Sequence, residues 1–263
     1  MEKGNIGVFD SGLGGLWMLK HLRESLPEYN YIFFGDQANV PYGTKTIPEL
    51  FDCTTKVLAF LYREKNCAAV LLACNTVSST IYPQLRAWVE KEYPGRYVFG
   101  IIRPTIEAVP SASGIALFAT VRTVESHVFQ TLLQEKNAQN TTNEVALPQL
   151  CTLIENGGDT TSYIASFSNR VPGATHIGVL ACTHYGIVRQ DFKDAFPQIT
   201  TWISQEEIIP EFFKKYLVEK KEFTQKLATN SLIKIYVSKE NHVFNTWLSL
   251  WFGSDIHPVV VSL

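Results

Sequence analysis

No stretch of the 263-residue sequence approaches the roughly 18 consecutive apolar residues needed to span a bilayer. The start, Met1-Glu2-Lys3-Gly4-Asn5, runs straight into Ile6-Gly7-Val8-Phe9 without a charged region leading into a long apolar one, so a secretory leader is not expected. Charge of one sign is also scarce. The formal net charge is −2, and no Lys/Arg block forms a basic arm, which argues against a nucleic-acid partner. Cysteines number five, at 53, 67, 74, 151 and 182, with no Cys-x-x-Cys pair. An odd count without that spacing disfavours both a disulfide framework and a zinc site, and makes a reducing cytoplasm the expected compartment. The phosphate-binding pattern G-x-x-x-x-G-K-[ST] is absent, and no low-complexity tract occurs.

What remains is an ordinary globular composition, with 46% hydrophobic and 18% charged residues, long enough for one large domain or two small ones. Short apolar runs at 6–9, 31–34, 68–73, 97–102, 115–119, 177–181 and 233–237 read as strands covered on both faces. Amphipathic stretches at 16–26, 49–64, 78–91, 124–136, 188–196 and 206–217 read as helices. Thr46 and Glu49 stand at capping-box spacing before the second of these. Polar segments at 137–142 and 219–231 read as loops or helix ends. The alternation predicts an α/β fold with mainly parallel sheets, whose ligands bind at the carboxyl ends of the strands.

The chain also echoes itself. Cys74 lies 64 positions after Asp10, and Cys182 lies 63 after Ala119. Both cysteines stand in Leu-Ala-Cys at the end of an apolar run, followed by small polar residues. This predicts two pseudo-symmetric α/β lobes with a cleft between them. One lobe is expected over 1–97 together with 205–263, and the other over 98–204.

A thiol between a strand and a helix start meets free backbone N–H groups and the positive end of a helix dipole, which favour thiolate. One such cysteine would suggest a nucleophile. Two, on opposed lobes, suit the removal of a proton from one face of a carbon and its return to the other, which needs two acid/base groups. The remaining cysteines, Cys53, Cys67 and Cys151, are expected as small buried hydrophobes. Asp10 would act as acid/base group, substrate orienter or helix cap, and Asp36 is read as structural. The glycine-rich Asp10-Ser11-Gly12-Leu13-Gly14-Gly15 would present N–H groups to an anion, but it lacks the third glycine of a dinucleotide fingerprint. Pro41-Tyr42-Gly43 would form a rigid turn beside a small polar site. His184, two residues after Cys182, would poise that thiol or donate to substrate, and a Cys–His hydrolase is the competing enzyme reading.

Together these motifs resemble the glutamate racemase family of the aspartate/glutamate racemase superfamily. The resemblance rests on Asp10-Ser11-Gly12-Leu13-Gly14-Gly15-Leu16, Gly35-Asp36 with Pro41-Tyr42-Gly43, and Ala73-Cys74-Asn75-Thr76. It extends through Ala119-Thr120 with Thr123-Val124 and Ser126, Leu153-Ile154-Glu155, and Cys182-Thr183-His184-Tyr185. It implies interconversion of L- and D-glutamate without pyridoxal phosphate or metal, feeding peptidoglycan synthesis. Cys74 and Cys182 would be the two bases, assisted by Asp10, Glu155 and His184. Ser11, Pro41, Tyr42, Gly43, Asn75, Thr76, Thr120, Thr123 and Thr183 would hold the substrate. A homodimer is the family expectation.

The sequence departs from the family pattern at Gly186, where proline is usual, at Arg122, where glycine is usual, at Arg103 before Pro104, and at Ile203 before Ser204. Arg122 would either alter the charge preference of the site or point to solvent. Two other readings stay open: a related racemase acting on another amino acid such as aspartate, and a non-catalytic binding protein on the same scaffold.

Overall fold

A computed structural model describes residues 3–111 and 114–263. Among the described residues ten strands, all paired in parallel, form two sheets. They are β1 (Asn5–Asp10), β2 (Tyr31–Gly35), β3 (Cys67–Leu72), β4 (Tyr97–Gly100), β5 (Ile115–Ala119), β6 (Thr142–Ala146), β7 (Ile177–Ala181), β8 (Thr201–Ser204), β9 (Ile233–Val237) and β10 (Pro258–Val260). The first sheet has the order β10-β9-β2-β1-β3-β4, and the second β6-β5-β7-β8.

Within these orders, β2-β1-β3-β4 and β6-β5-β7-β8 are the same topology met twice. The strands that end in the two Leu-Ala-Cys motifs, β3 and β7, occupy equivalent places. In each four-strand unit the strand order reverses at the central pair, β1/β3 and β5/β7. Crevices at such reversals, beyond the carboxyl ends of the strands, are where parallel sheets bind ligands.

The central strands have apolar interiors because both faces are covered. On β1, Ile6 and Val8 pack into one cluster and Phe9 into another, and on β5, Ala116 and Phe118 alternate with Ile115, Leu117 and Ala119 in the same way. The predicted capping box is present. Thr46 N–H donates to Glu49 Oε2 (2.8 Å), and Glu49 N–H lies 3.4 Å from Thr46 Oγ1, opening the helix Ile47–Arg63.

Several expected elements differ. The run 97–102 is a strand only to Gly100, and Ile102–Ala108 is helical. The helix expected at 78–91 is two, Asn75–Thr80 and Tyr82–Glu92, broken at Ile81 where Pro83 starts the second. The helix at 124–136 is interrupted by His127, whose φ of 52° is left-handed, leaving Val121–Glu125 and Val128–Lys136. The stretch 188–196 is helical over Arg189–Ala195, preceded by a 3-10 turn, Thr183–Val188. The polar segment at 219–231 contains the short helix Lys221–Thr224. Among the described residues no helix is long and apolar enough to cross a membrane.

Candidate active site

The carboxyl ends of β1, β3, β5 and β7 deliver Asp10, Cys74, Thr120 and Cys182 to one region between the sheets. Cys74 caps the helix Asn75–Thr80, and Cys182 caps the turn Thr183–Val188. Both thiols are nearly closed to solvent, at 5% and 6% exposure, and Asp10 is 1% exposed. Asp10 accepts from the Ser11 N–H (2.8 Å) and from the Thr183 hydroxyl (3.3 Å), and the nearby Cys74 thiol also favours its charged form. Ser11 Oγ lies 4.0 Å from Cys74 Sγ.

The thiolate expected at neutral pH is not what this closed site favours. Burial pushes the Cys74 thiol well up, and the Asp10 carboxyl adds to the shift. The N–H groups of Val77 and Thr76 at the helix start act in the predicted direction, but they are outweighed. Asp10 itself is raised by burial against the opposing pull of His184.

Around Cys182 the surroundings are different. Cys151 Sγ lies 3.6 Å from Cys182 Sγ, so Cys151 is not the inert hydrophobe expected from sequence. A thiol pair this close titrates as a unit. The hydrogen bond between the two sulfurs lets the Cys151 proton leave more easily than from a free thiol, and His184 favours the resulting charge. Burial and the Cys151 charge then hold the Cys182 proton all the more firmly.

His184 Nε2 faces Glu155 Oε1 at 2.7 Å and the Gly14 N–H at 3.3 Å. The shorter contact, to an ionised carboxylate, assigns the proton, so Nε2–H donates to Glu155. Nδ1 then points toward Cys182 Sγ, at 3.9 Å. Burial alone would lower the His184 pKa, but Cys151, Glu155 and Asp10 together raise it to about 10. Burial likewise works against the Glu155 carboxylate, yet His184 and the Leu13 N–H hold its pKa below the ordinary value.

That Leu13 N–H, which donates to Glu155 Oε1 at 2.6 Å, revises the reading of the glycine-rich stretch. The anion facing the helix Leu13–Ser25 is a side chain of this protein. A Cβ on Gly14 would fall 2.5 Å from Thr183 Oγ1 and 2.6 Å from the His184 backbone nitrogen, so glycine is what lets the two lobes meet here.

Two further polar links join the segments that carry the two sheets, at Thr76–Thr120 and at Gln205–Thr105. The hydroxyls of Thr76, Thr120 and Thr123 form a chain with spacings of 3.2 and 3.0 Å. Asn75 and Gln205 exchange amide hydrogen bonds of 2.6 and 2.9 Å, and Gln205 also donates to Thr105. The Pro41-Tyr42-Gly43 turn contributes less than expected. Tyr42 packs in the same cluster as Cys74, but its hydroxyl donates to Asp36 (2.5 Å), which Asn39 also holds. Asp36 is structural, as read from sequence. Pro41 is exposed, and nothing crowds the Cβ position of Gly43.

Cys151, Gln205 and Thr105 were not foreseen at this site. A signal for Cys151 was present, since it stands four residues before Glu155 and therefore on the same helix face. Gln205 follows directly on β8 and so, like the cysteines, sits at a strand's carboxyl end.

No protein-family model matches the chain. Individual relatives do. A glutamate racemase of Fusobacterium nucleatum is 34% identical over 196 residues, covering 72% of each chain. Glutamate racemase 1 of Caldanaerobacter subterraneus is 31% identical over 250 residues, covering 92% of this chain and 91% of its own. The chain belongs to the glutamate racemase family. The fold agrees: the crystal structure of the glutamate racemase of Francisella tularensis, solved in complex with D-glutamate, superposes with a TM-score of 0.86 at 23% identity, over 100% of this chain and 98% of that one.

Several departures from the glutamate racemase pattern have physical accounts. A Cβ on Gly186 would lie 2.6 Å from Glu206 Cδ, because the buried Glu206 carboxyl, bound by the Ser204 hydroxyl, fills that space. Ile203 is a core residue of β8. Arg122 neither enters the thiol region nor floats in solvent: its Nη2 donates to the Lys45 carbonyl (2.9 Å), and Nη1 lies 3.7 Å from Glu125. Arg103 lines a separate cavity of about 460 Å³ with Tyr82 and Val128, which contains neither thiol.

Proposed function

We propose that the chain interconverts L- and D-glutamate by a two-base mechanism, with Cys74 and Cys182 on opposite sides of the α-carbon. The observation that carries this reading is the pair of thiols at equivalent strand ends of a repeated topology, with Asp10 bearing on both. A thiolate at one end takes the α-proton, and the thiol at the other end gives a proton to the opposite face of the planar carbanion. Asp10 is the acid/base partner of Cys74, and His184, oriented by Glu155, that of Cys182. Ser11, Asn75, Thr76, Thr120, Thr123 and Thr183, with backbone groups of the 41–43 turn, hold the carboxylates and the ammonium.

Burial holds both thiols protonated, so an approaching α-ammonium has a specific effect. Its positive charge offsets the burial that disfavours thiolate, and ionisation follows substrate binding. Entry requires the two lobes, 1–97 with 205–263 and 98–204, to part along their polar contacts. No metal or organic cofactor enters this scheme. Supply of D-glutamate for peptidoglycan, a cytoplasmic location and a homodimer complete the proposal. The five free cysteines suit a reducing compartment, and the dimer rests on the family alone.

The test is circular dichroism of L-glutamate and, separately, D-glutamate in deuterated buffer with the purified protein and a metal chelator. Both signals should decay to zero, with solvent deuterium appearing at the α-carbon. Unchanged signals with folded, reduced protein would overturn the proposal, and decay with aspartate instead would reassign the substrate.

A further inference from the structure

Cys151, Cys182 and His184 do more than adjust one another's protons. One ligand atom from each, the two Sγ and a ring nitrogen of His184, lies within 4.8 Å of the others. The Sγ–Sγ separation is 3.6 Å and the Cys182 Sγ–Nδ1 separation 3.9 Å. A tetrahedral zinc ion, with Zn–S of about 2.3 Å and Zn–N of about 2.0 Å, needs sulfur–sulfur and sulfur–nitrogen edges of roughly 3.5–3.8 Å. The two edges that meet at Cys182 Sγ, 3.6 and 3.9 Å, are close to those of such a tetrahedron, and the third lies within 4.8 Å.

The histidine is also prepared for a ligand. Its Nε2–H is anchored on Glu155, the carboxylate–histidine arrangement that fixes the ring behind metal sites and leaves the other nitrogen to coordinate. Glu155 is in turn held by the Leu13 N–H. Cys151 is the least buried of the three residues. Cysteine-spacing rules do not reach this set, because its donors come from a helix and a strand end 31 positions apart.

We propose that Cys151, Cys182 and His184 form a binding site for a soft divalent cation of the zinc class, with the fourth position open, and that its occupancy silences the enzyme. The cation replaces the protons on both thiols and on His184 Nδ1, which pass to solvent, and no oxidant or reductant takes part. Binding therefore tightens as pH rises. The silencing, though not the binding, rests on the proposed role of Cys182 as an acid/base thiol.

The probe is Co²⁺, titrated anaerobically into reduced, full-length protein and then displaced with Zn²⁺. One Co²⁺ per chain should produce thiolate-to-cobalt charge transfer and the intense visible bands of a tetrahedral ion. Cys74→Ser should keep these bands. Cys151→Ser should weaken binding more than about 100-fold, and Glu155→Gln about 10–100-fold. Racemisation should fall in proportion to occupancy and return with a chelator. Absence of charge transfer in the parent protein overturns the proposal whether or not the variants fold, as does a band that survives Cys151→Ser. Bands without any racemisation in chelator would leave the metal site standing and sink the proposed function instead.

Discussion

Cys74 and Cys182 end equivalent strands, yet the groups around them differ in kind. The Cys74 thiol faces one carboxyl, one serine hydroxyl and an apolar cluster. The Cys182 thiol faces a second thiol and a histidine–glutamate pair. One end disperses charge poorly and holds its proton. At the other, Cys182 also holds its proton, and the negative charge falls on Cys151 beside the His184 cation. A repeated topology therefore conserves position, while proton chemistry is set locally by side chains from other elements.

The largest test of the comparison removes each thiol in turn. Cys74→Ser and Cys182→Ser should each lower the racemisation rate by about 10²–10⁴-fold, the usual contribution of a positioned acid or base. A loss at only one end, measured by polarimetry, would mean that the two positions are not chemical partners. Next in size is Gly14→Ala, whose methyl would collide with the backbone at His184. About 1–3 kcal/mol of stability should be lost on thermal melting, together with most activity. Full activity would mean that the helix start and the Cys182 end need not touch.

A smaller effect separates the two ends by pH. His184 has a folded-state pKa of about 10 against an ordinary 6.5, so its protonated form stabilises the fold fully below about pH 6.5. That contribution disappears as pH rises through about 10. The melting temperature of the parent should therefore fall more steeply across this window than that of His184→Gln. The raised Cys74 thiol adds a loss above its ordinary value of 9.0 in both proteins. Parallel curves from pH 6.5 to 9 would refute the charged histidine. The smallest effect is expected at Arg122, away from both thiols. Arg122→Ala should cost about 0.5–1.5 kcal/mol through its bond to the Lys45 carbonyl and leave the preference for glutamate over aspartate unchanged.

The architecture was legible in the sequence where strands are covered on both faces. All seven expected strands exist, 97–102 in shortened form, because full burial leaves an unbroken apolar run. The missed strands, β6, β8 and β10, are all at sheet edges, where one side lacks a partner and polar or very short sequences suffice. Thr142–Ala146 is half polar, and Val259 and Val260 are each 53% exposed. In the site, the strand-end residues Asp10, Cys74, Thr120 and Cys182 were legible because adjacency in sequence places them. Cys151 and Gln205 were legible only in part: the helix face shared with Glu155 and the end of β8 place them, but the thiol and amide they meet come from distant elements. The thiol pKa values were misjudged for a related reason. A helix start is visible in sequence, whereas the depth of burial that outweighs it is not.

The sheet order also sets a timetable for synthesis. The four-stranded sheet holds everything it needs once residue 204 has been made, while the six-stranded sheet still lacks β9 and β10. Until then β2, apolar along its whole length, presents an open hydrogen-bonding edge where Ile233–Val237 will later lie. A nascent chain of this topology finishes its inserted half first and carries an adhesive strand in its older half through the last stretch of translation.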